Sequence, residues 1–171
     1  SIMIYLVTIS HESNCGIYLR EIDPDEDDAS YAMETRGAGL IQVTDETQLE
    51  FLKFLRERGG LPAEHEEIVK LLIKGLENNN TAVEGLISPT EFIATYYPIE
   101  SSLWFWTELD NAWIPNQEAV SLNEYIEAIN GVEGVDEELL FLATQYTVNG
   151  TKFSVEARYY TPMGQIRIEE S

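Results

Sequence analysis

Basic residues are scarce in this chain: ten Lys and Arg stand against 31 Asp and Glu, a formal net charge of −21 over 171 residues. A surplus of that size repels phosphate backbones and anionic lipid headgroups, so neither nucleic acid nor an acidic membrane is an expected partner. A neutral polymer is untouched by this argument. Cysteine is nearly absent as well. Cys15 stands alone, so no disulfide can close within the chain and nothing argues for an oxidising compartment. No neighbouring residue marks it as a nucleophile. The opening apolar run, Ile2 to Ile9, is too short to span a bilayer and carries no basic flank. It reads as a buried helix running to Ser13 and not as a signal peptide. It starts without a visible cap or leader, so the chain is expected to be trimmed at its N-terminus.

Other signals are absent too. The acidic run Asp23-Pro24-Asp25-Glu26-Asp27-Asp28 lacks the glycine and the terminal Glu of an EF-hand loop, and no metal is expected there. His11 has no second His or carboxylate at metal-ligand spacing, and His65 lies in a charged helix; His11 is expected to be structural. No repeat, linker or low-complexity break divides the chain.

What is present suits a folded domain. Apolar residues make up 44%, and three Trp, nine Tyr and six Phe exceed what a disordered acidic chain carries. Helical spacing recurs. Thr44 or Asp45 caps a helix with Leu49, Leu52 and Leu55 on one face, closed by Gly59-Gly60. A second runs from Ala63 to Leu76 with Ile68, Leu71 and Leu72 inward. Ser88-Pro89-Thr90-Glu91 opens a third, which Pro98 stops, and Glu100 to Leu109 forms the next. Ser121-Leu122-Asn123-Glu124 is a capping box before a helix ended by Asn130-Gly131. Asp136 opens another, and Ser154 to Tyr160 a short last one. The expectation is a mainly α single domain spanning residues 1–171, with little β-structure.

The candidate chemistry lies near the start. Glu12 and Glu21 are nine positions apart, and in one unbroken helix nine steps of about 100° would set them on opposite faces. Asn14 to Gly16 supplies a break that lets the chain fold back. Two carboxyls facing each other about 6.5–9.5 Å apart leave room for a water, the requirement of an inverting glycosidase. The end of a buried apolar helix would disfavour the charged form of Glu12 and suit it to be the acid. Glu21, beside Arg20 and an exposed loop, would serve as the base. Thr44 can orient the attacking water through its hydroxyl, and Gln42 can hydrogen-bond a sugar or its acetamide. Trp104 and Trp106 alternate within one helix and cannot both face one direction; either could line the cleft and stack on sugar, with the core the favoured place. Arg158 can pair with Glu21.

These segments carry a resemblance. His11-Glu12-Ser13 with Tyr18-Leu19-Arg20-Glu21 resembles the acid and base segments of the family 19 glycoside hydrolases, the plant-type chitinases and their phage and bacterial endolysin relatives. Arg36-Gly37-Ala38-Gly39-Leu40-Ile41-Gln42-Val43-Thr44 is similar to that family's glycine-rich segment ending in Ile-Gln-x-Ser/Thr. Ser102-Leu103-Trp104-Phe105-Trp106-Thr107 resembles its aromatic helix, and Ala128-Ile129-Asn130-Gly131 its Ile-Asn-Gly-Gly segment. Arg158-Tyr159-Tyr160 matches its closing region loosely. The motifs occur in the family's order.

The resemblance implies a lysozyme-like fold, two helical lobes around a substrate cleft. It implies an inverting, endo-acting hydrolase of β-1,4-linked N-acetylglucosamine polymers, needing no cofactor and no metal. Glu12 is then the general acid, Glu21 the general base and Thr44 the holder of the catalytic water. Gln42, Asn130, Trp104 and Arg158 are the expected substrate contacts. The resemblance further implies a monomer, secreted or associated with a cell wall. This chain departs from the pattern at three places. Ala38 replaces the arginine between the glycines, and Val132 replaces the second glycine after Asn130. Thr47 and Gln48 replace the Asn-Tyr that follows the threonine, so Gln48 is the expected substitute sugar contact. The family's helix upstream of His11 is not in this chain, and the short stretch between acid and base implies few sugar subsites. Chitin is favoured over peptidoglycan, because the aromatic helix looks like the chitinase branch and the charge suits a neutral polymer. The alternatives are a peptidoglycan-cleaving endolysin and a carbohydrate-binding relative that has lost turnover.

Overall fold

A computed structural model describes residues 2–20, 36–78, 85–112, 119–130, 134–136, 140–141, 144 and 148. Among them the chain is mainly helical, with helices α1 (Ile2–Glu12), α2 (Asp45–Arg58), α3 (Ala63–Glu77), α4 (Pro89–Tyr96), α5 (Pro98–Thr107) and α6 (Leu122–Ile129). One two-stranded antiparallel sheet pairs β1 (Asp110–Ala112) with β2 (Val120–Ser121), Asp110 opposite Ser121 and Ala112 opposite Val120. Contacts divide the chain into two compact units: residues 9–102, and residues 1–8 together with 103–171. The short helix expected over Ser154 to Tyr160 lies outside the described residues. At Asp136, the expected helix start, the Leu140 amide bonds the Asp136 carbonyl at 3.0 Å.

In the 9–102 unit, α2 buries Gln48, Phe51, Leu52 and Leu55, the i, i+3, i+4, i+7 spacing of one helical face. Leu49, expected on that face, is half-buried at its margin. On α3 the inward residues are Val69, Leu72 and Ile73. Leu71, expected inward, is exposed, and Ile68 is half-buried. The inward stripe is thus rotated from the expected one, and only Leu72 belongs to both. On α4, Phe92 and Ile93 are fully buried, and the Phe51 and Phe92 rings meet Tyr97 at 6.5 and 5.5 Å between centroids. Ser88 caps α4 by accepting from the Glu91 amide at 3.1 Å, with Pro89 in the first helical turn. A proline there costs nothing, because that turn's amides have no partner within the helix.

In the other unit, Trp104, Phe105 and Trp106 of α5 are all buried, at 6%, 6% and 3% exposure. Both Trp rings are thus core, the place favoured for them, and neither is free to stack on sugar; Trp106 meets the Tyr5 ring edge-on at 5.1 Å. Leu122, Tyr125, Ile126 and Ile129 form the buried face of α6. The expected capping box is present in full: Glu124 N–H donates to Ser121 Oγ, and Ser121 N–H donates to the Glu124 carboxylate.

The opening helix is a second correction. It forms over Ile2–Glu12, but Ile2, Met3, Leu6 and Val7 are 45–71% exposed and its buried residue is Thr8. A run that is apolar at nearly every position has no stripe by which its buried face can be recognised.

The capping box fixes a pH response. Ser121's hydroxyl and then its amide bond the Glu124 carboxylate and hold it below its ordinary value of 4.5. A depressed folded-state value means the charge contributes stability above the unfolded value and loses it as pH falls through the folded one. Glu124→Gln, which keeps the box uncharged, is therefore expected to be less stable than wild type at neutral pH. The two should converge as thermal denaturation is followed from about pH 6 to about pH 3; a gap unchanged over that range would contradict the assignment.

Candidate functional site

The end of α1 and the segment after it are built by backbone geometry. Asn14, Cys15 and Gly16 adopt φ of 49°, 59° and 80° in succession, and left-handed backbone costs about 1–2 kcal/mol for a residue with a Cβ. Ser13 holds the reversal. Fully buried, its hydroxyl donates to the Ile9 carbonyl at 2.5 Å and accepts from the Gly16 amide at 2.8 Å. The Tyr18 amide then bonds the Ser13 carbonyl at 3.0 Å. The break expected at residues 14–16 is thus present. Glu12, one residue before Ser13, has a side chain 16% exposed, 3.4 Å from Nδ1 of the exposed His11.

The reversed chain pairs with the glycine-rich segment. Arg20 bridges Ala38, and Ala38 bridges Val43, both antiparallel. Ala38 and Val43 exchange amide–carbonyl bonds of 3.0 and 2.8 Å, and the Gly39 amide donates to Leu19 at 2.8 Å. A four-residue loop, 39–42, closes this hairpin with left-handed backbone at both ends: Gly39 at φ 76° and Gln42 at φ 60°. Gly39 also lies against the start of α5, where a Cβ would strike Ser101 Oγ and the Pro98 carbonyl. Arg20 itself forms an ion pair with Glu91 at 2.8 Å.

The two glutamines face inward. Nε2 of the half-buried Gln42 donates to Tyr18 O at 3.1 Å and to Gly39 O at 2.7 Å. That uses both of its hydrogens and leaves Oε1, which lies over Gly37. Gln48 is fully buried, its Nε2 within 2.5 Å of Arg36 O, 2.8 Å of Val43 O and 3.2 Å of Thr90 Oγ1. The expectation of Gln48 as a sugar contact is corrected: no part of it reaches solvent. Trp104 fails the same test, being core. Thr44, at the N-cap of α2, does not cap the helix with its side chain and is exposed. Asn130 is exposed just past α6. Glu21 and Arg158 lie outside the described residues.

Glu12, Gln42, Thr44 and Gln48 belong to the 9–102 unit; Trp104, Asn130 and Arg158 belong to the other. What sequence reasoning missed is Ser13, since a buried serine has no periodic signature, and the setting of His65. His65 is half-buried among rings, its Nδ1 2.6 Å from the Tyr97 hydroxyl and its ring 4.6 Å from Tyr96. Burial pushes the Tyr97 phenol up from its ordinary value, partly countered by Arg58. Phe92 and Tyr96, four apart on α4, were the available signal. Among the described residues no group of three His, Cys, Asp or Glu could hold a metal ion, and no helix is long and apolar enough to cross a membrane.

No family model, curated protein or solved structure matches this chain.

The inward role assigned to Gln48 is testable by stability. Gln48→Leu keeps the side chain's approximate size but removes one of the two donors on each carbonyl, the Thr90 hydroxyl remaining on Arg36 O and the Ala38 amide on Val43 O, so a loss of about 0.5–1.5 kcal/mol is expected. Urea denaturation should show that loss, and a variant as stable as wild type would show that the carboxamide is dispensable.

Proposed function

We propose that this chain is an inverting, endo-acting glycoside hydrolase of β-1,4-linked N-acetylglucosamine polymers, with the lysozyme-like fold that its motifs resemble. The observation that supports it most is the knitting of three motif segments in one unit. Ser13, directly after Glu12, accepts from the Tyr18 amide, Leu19 and Arg20 pair with Gly39 and Ala38, and that hairpin runs directly into Thr44.

In this reading Glu12 donates its proton to the glycosidic oxygen as the bond to the anomeric carbon breaks. Glu21 takes a proton from the water attacking the opposite face, and the Thr44 hydroxyl, which does not cap α2, orients that water. Asn130, which is exposed, and Arg158 are sugar contacts by the resemblance alone, while Gln42 has only its carbonyl oxygen left to offer one. Neutral chitin suits a charge of −21 better than an anionic cell wall does. The enzyme acts as a monomer without nucleic acid, membrane, cofactor or metal.

The decisive test is cleavage of an N-acetylglucosamine hexamer with the anomers of the products resolved. Wild type is expected to release α-anomers, and Glu12→Gln to lose about 10²–10⁴ in rate, the usual contribution of a general acid, while still binding the hexamer. Lysis of bacterial walls without hexamer cleavage would move the substrate to peptidoglycan. Binding without either activity would overturn the hydrolase reading and leave a carbohydrate-binding protein.

A further inference from the structure

We infer that Gln42 is a positioning residue, fixing the Glu12 turn against the hairpin that ends at Thr44. The inference deepens the hydrolase reading and rests on it. A side chain that binds substrate keeps its donors for substrate. Gln42 does not: both amide hydrogens are engaged by backbone carbonyls, one in its own loop (Gly39) and one 24 positions earlier (Tyr18). The second bond is the consequential one. Tyr18 receives Gln42 on its carbonyl and donates its amide to Ser13, the residue after Glu12. Thr44 follows Gln42 by two residues, so a short bonded path runs from the candidate acid to the candidate water holder through this carboxamide.

Two features show that the carboxamide is held there. Gln42 has a left-handed backbone at φ 60°, which a non-glycine residue adopts at a cost unless its surroundings impose it. Gly37 is also shaped to the side chain: a Cβ on Gly37 would stand 2.6 Å from Gln42 Oε1 and 3.0 Å from its Cβ. The glycine therefore leaves the room in which the glutamine lies, and its φ is not among the left-handed ones, so space alone is at stake.

Two variants attack the link from opposite sides. Gln42→Glu keeps the length and an acceptor oxygen but turns carboxylate oxygens toward the Tyr18 and Gly39 carbonyls. Gly37→Ala leaves Gln42 chemically intact and displaces it. Native-state hydrogen exchange is followed at the Tyr18 and Gly39 amides, whose bonds to Ser13 and Leu19 depend on the link. Turnover and KM are measured on the N-acetylglucosamine hexamer. In both variants exchange at these two amides should quicken roughly tenfold or more, as loss of one supporting hydrogen bond of about 1.4 kcal/mol implies. The amides of Leu72 and Ile126 should keep their protection, which shows that the chain still folds. Turnover should fall about 100-fold with KM little changed, the mark of a misplaced catalytic group.

Unchanged exchange in Gln42→Glu overturns the inference, as does a raised KM with turnover retained, which is the signature of a sugar contact. Wild type that cleaves no N-acetylglucosamine polymer overturns the hydrolase reading separately; the exchange rates then decide the link alone.

Discussion

The arrangement around the glycine-rich hairpin depends on one buried carboxamide. Gln48 on α2 reaches two main-chain carbonyls that flank the hairpin, Arg36 on one side and Val43 on the other, and the hydroxyl of Thr90 on α4, which itself bonds Arg36. Arg36 O also accepts from Thr90 and Val43 O from the Ala38 amide, so Gln48 is the donor that joins the two carbonyls rather than the sole donor of either. Gln48 Oε1 has no hydrogen-bond partner among the described residues, while the amide is directed at the carbonyls. Around this contact Ala38, Ile41 and Val43 turn their side chains into the core with Phe51 and Leu52. Hairpin, helix start and α4 thus behave as one assembly, and the position of Thr44 follows from it.

Much of the helical scaffold is legible in the sequence because caps are local chemistry. Ser88 with Pro89, Ser121 with Glu124, and Gly59 after α2 each satisfy orphan groups within three or four residues, so their signal does not depend on the rest of the fold. Facing is harder to read. Leu71 and Val69 differ by two positions, and on α3 an excess of apolar residues permits more than one inward stripe; only the packing against α2 selects Val69, Leu72 and Ile73. The opening helix is the extreme case, with apolar residues on every side and therefore no stripe at all.

The candidate site divides along the same line. The break at Asn14 to Gly16 is readable, because glycine and asparagine favour left-handed backbone; the turn expected at Gly37 to Gly39 lies instead over 39–42, with Ala38 already paired to Val43. The roles of Gln42 and Gln48 are not readable. A glutamine in sequence reads as a solvent or ligand group, yet a carboxamide is also the side chain best suited to terminate loose carbonyls inside a fold. Which use applies depends on contacts 24, 12 and 42 positions away, and no local pattern encodes those. Trp104 and Trp106 mislead for a related reason: an aromatic spacing that suits a sugar platform also suits a core, and burial alone distinguishes them.

The charge constrains how any such site must bind. The cations seen in ion pairs, Arg20, Lys53, Arg58 and Lys70, pair with carboxylates close at hand, and pairs at such exposed positions contribute little. They leave the acidic surplus largely uncompensated. A neutral polysaccharide gains nothing from that field, so affinity has to come from hydrogen bonds and from a ring on which a sugar can lie. With Trp104 and Trp106 in the core, the exposed Phe, Tyr or Trp rings among the described residues are Tyr18 and Tyr96. Tyr96 belongs to the ring cluster of His65 and Phe92. Tyr18 sits between the Ser13 carbonyl and the Gln42 carboxamide, its backbone fixed on both sides and its side chain 48% exposed. On the hydrolase reading, the residue whose main chain carries the link between Glu12 and Thr44 is therefore also the ring best placed to meet the substrate.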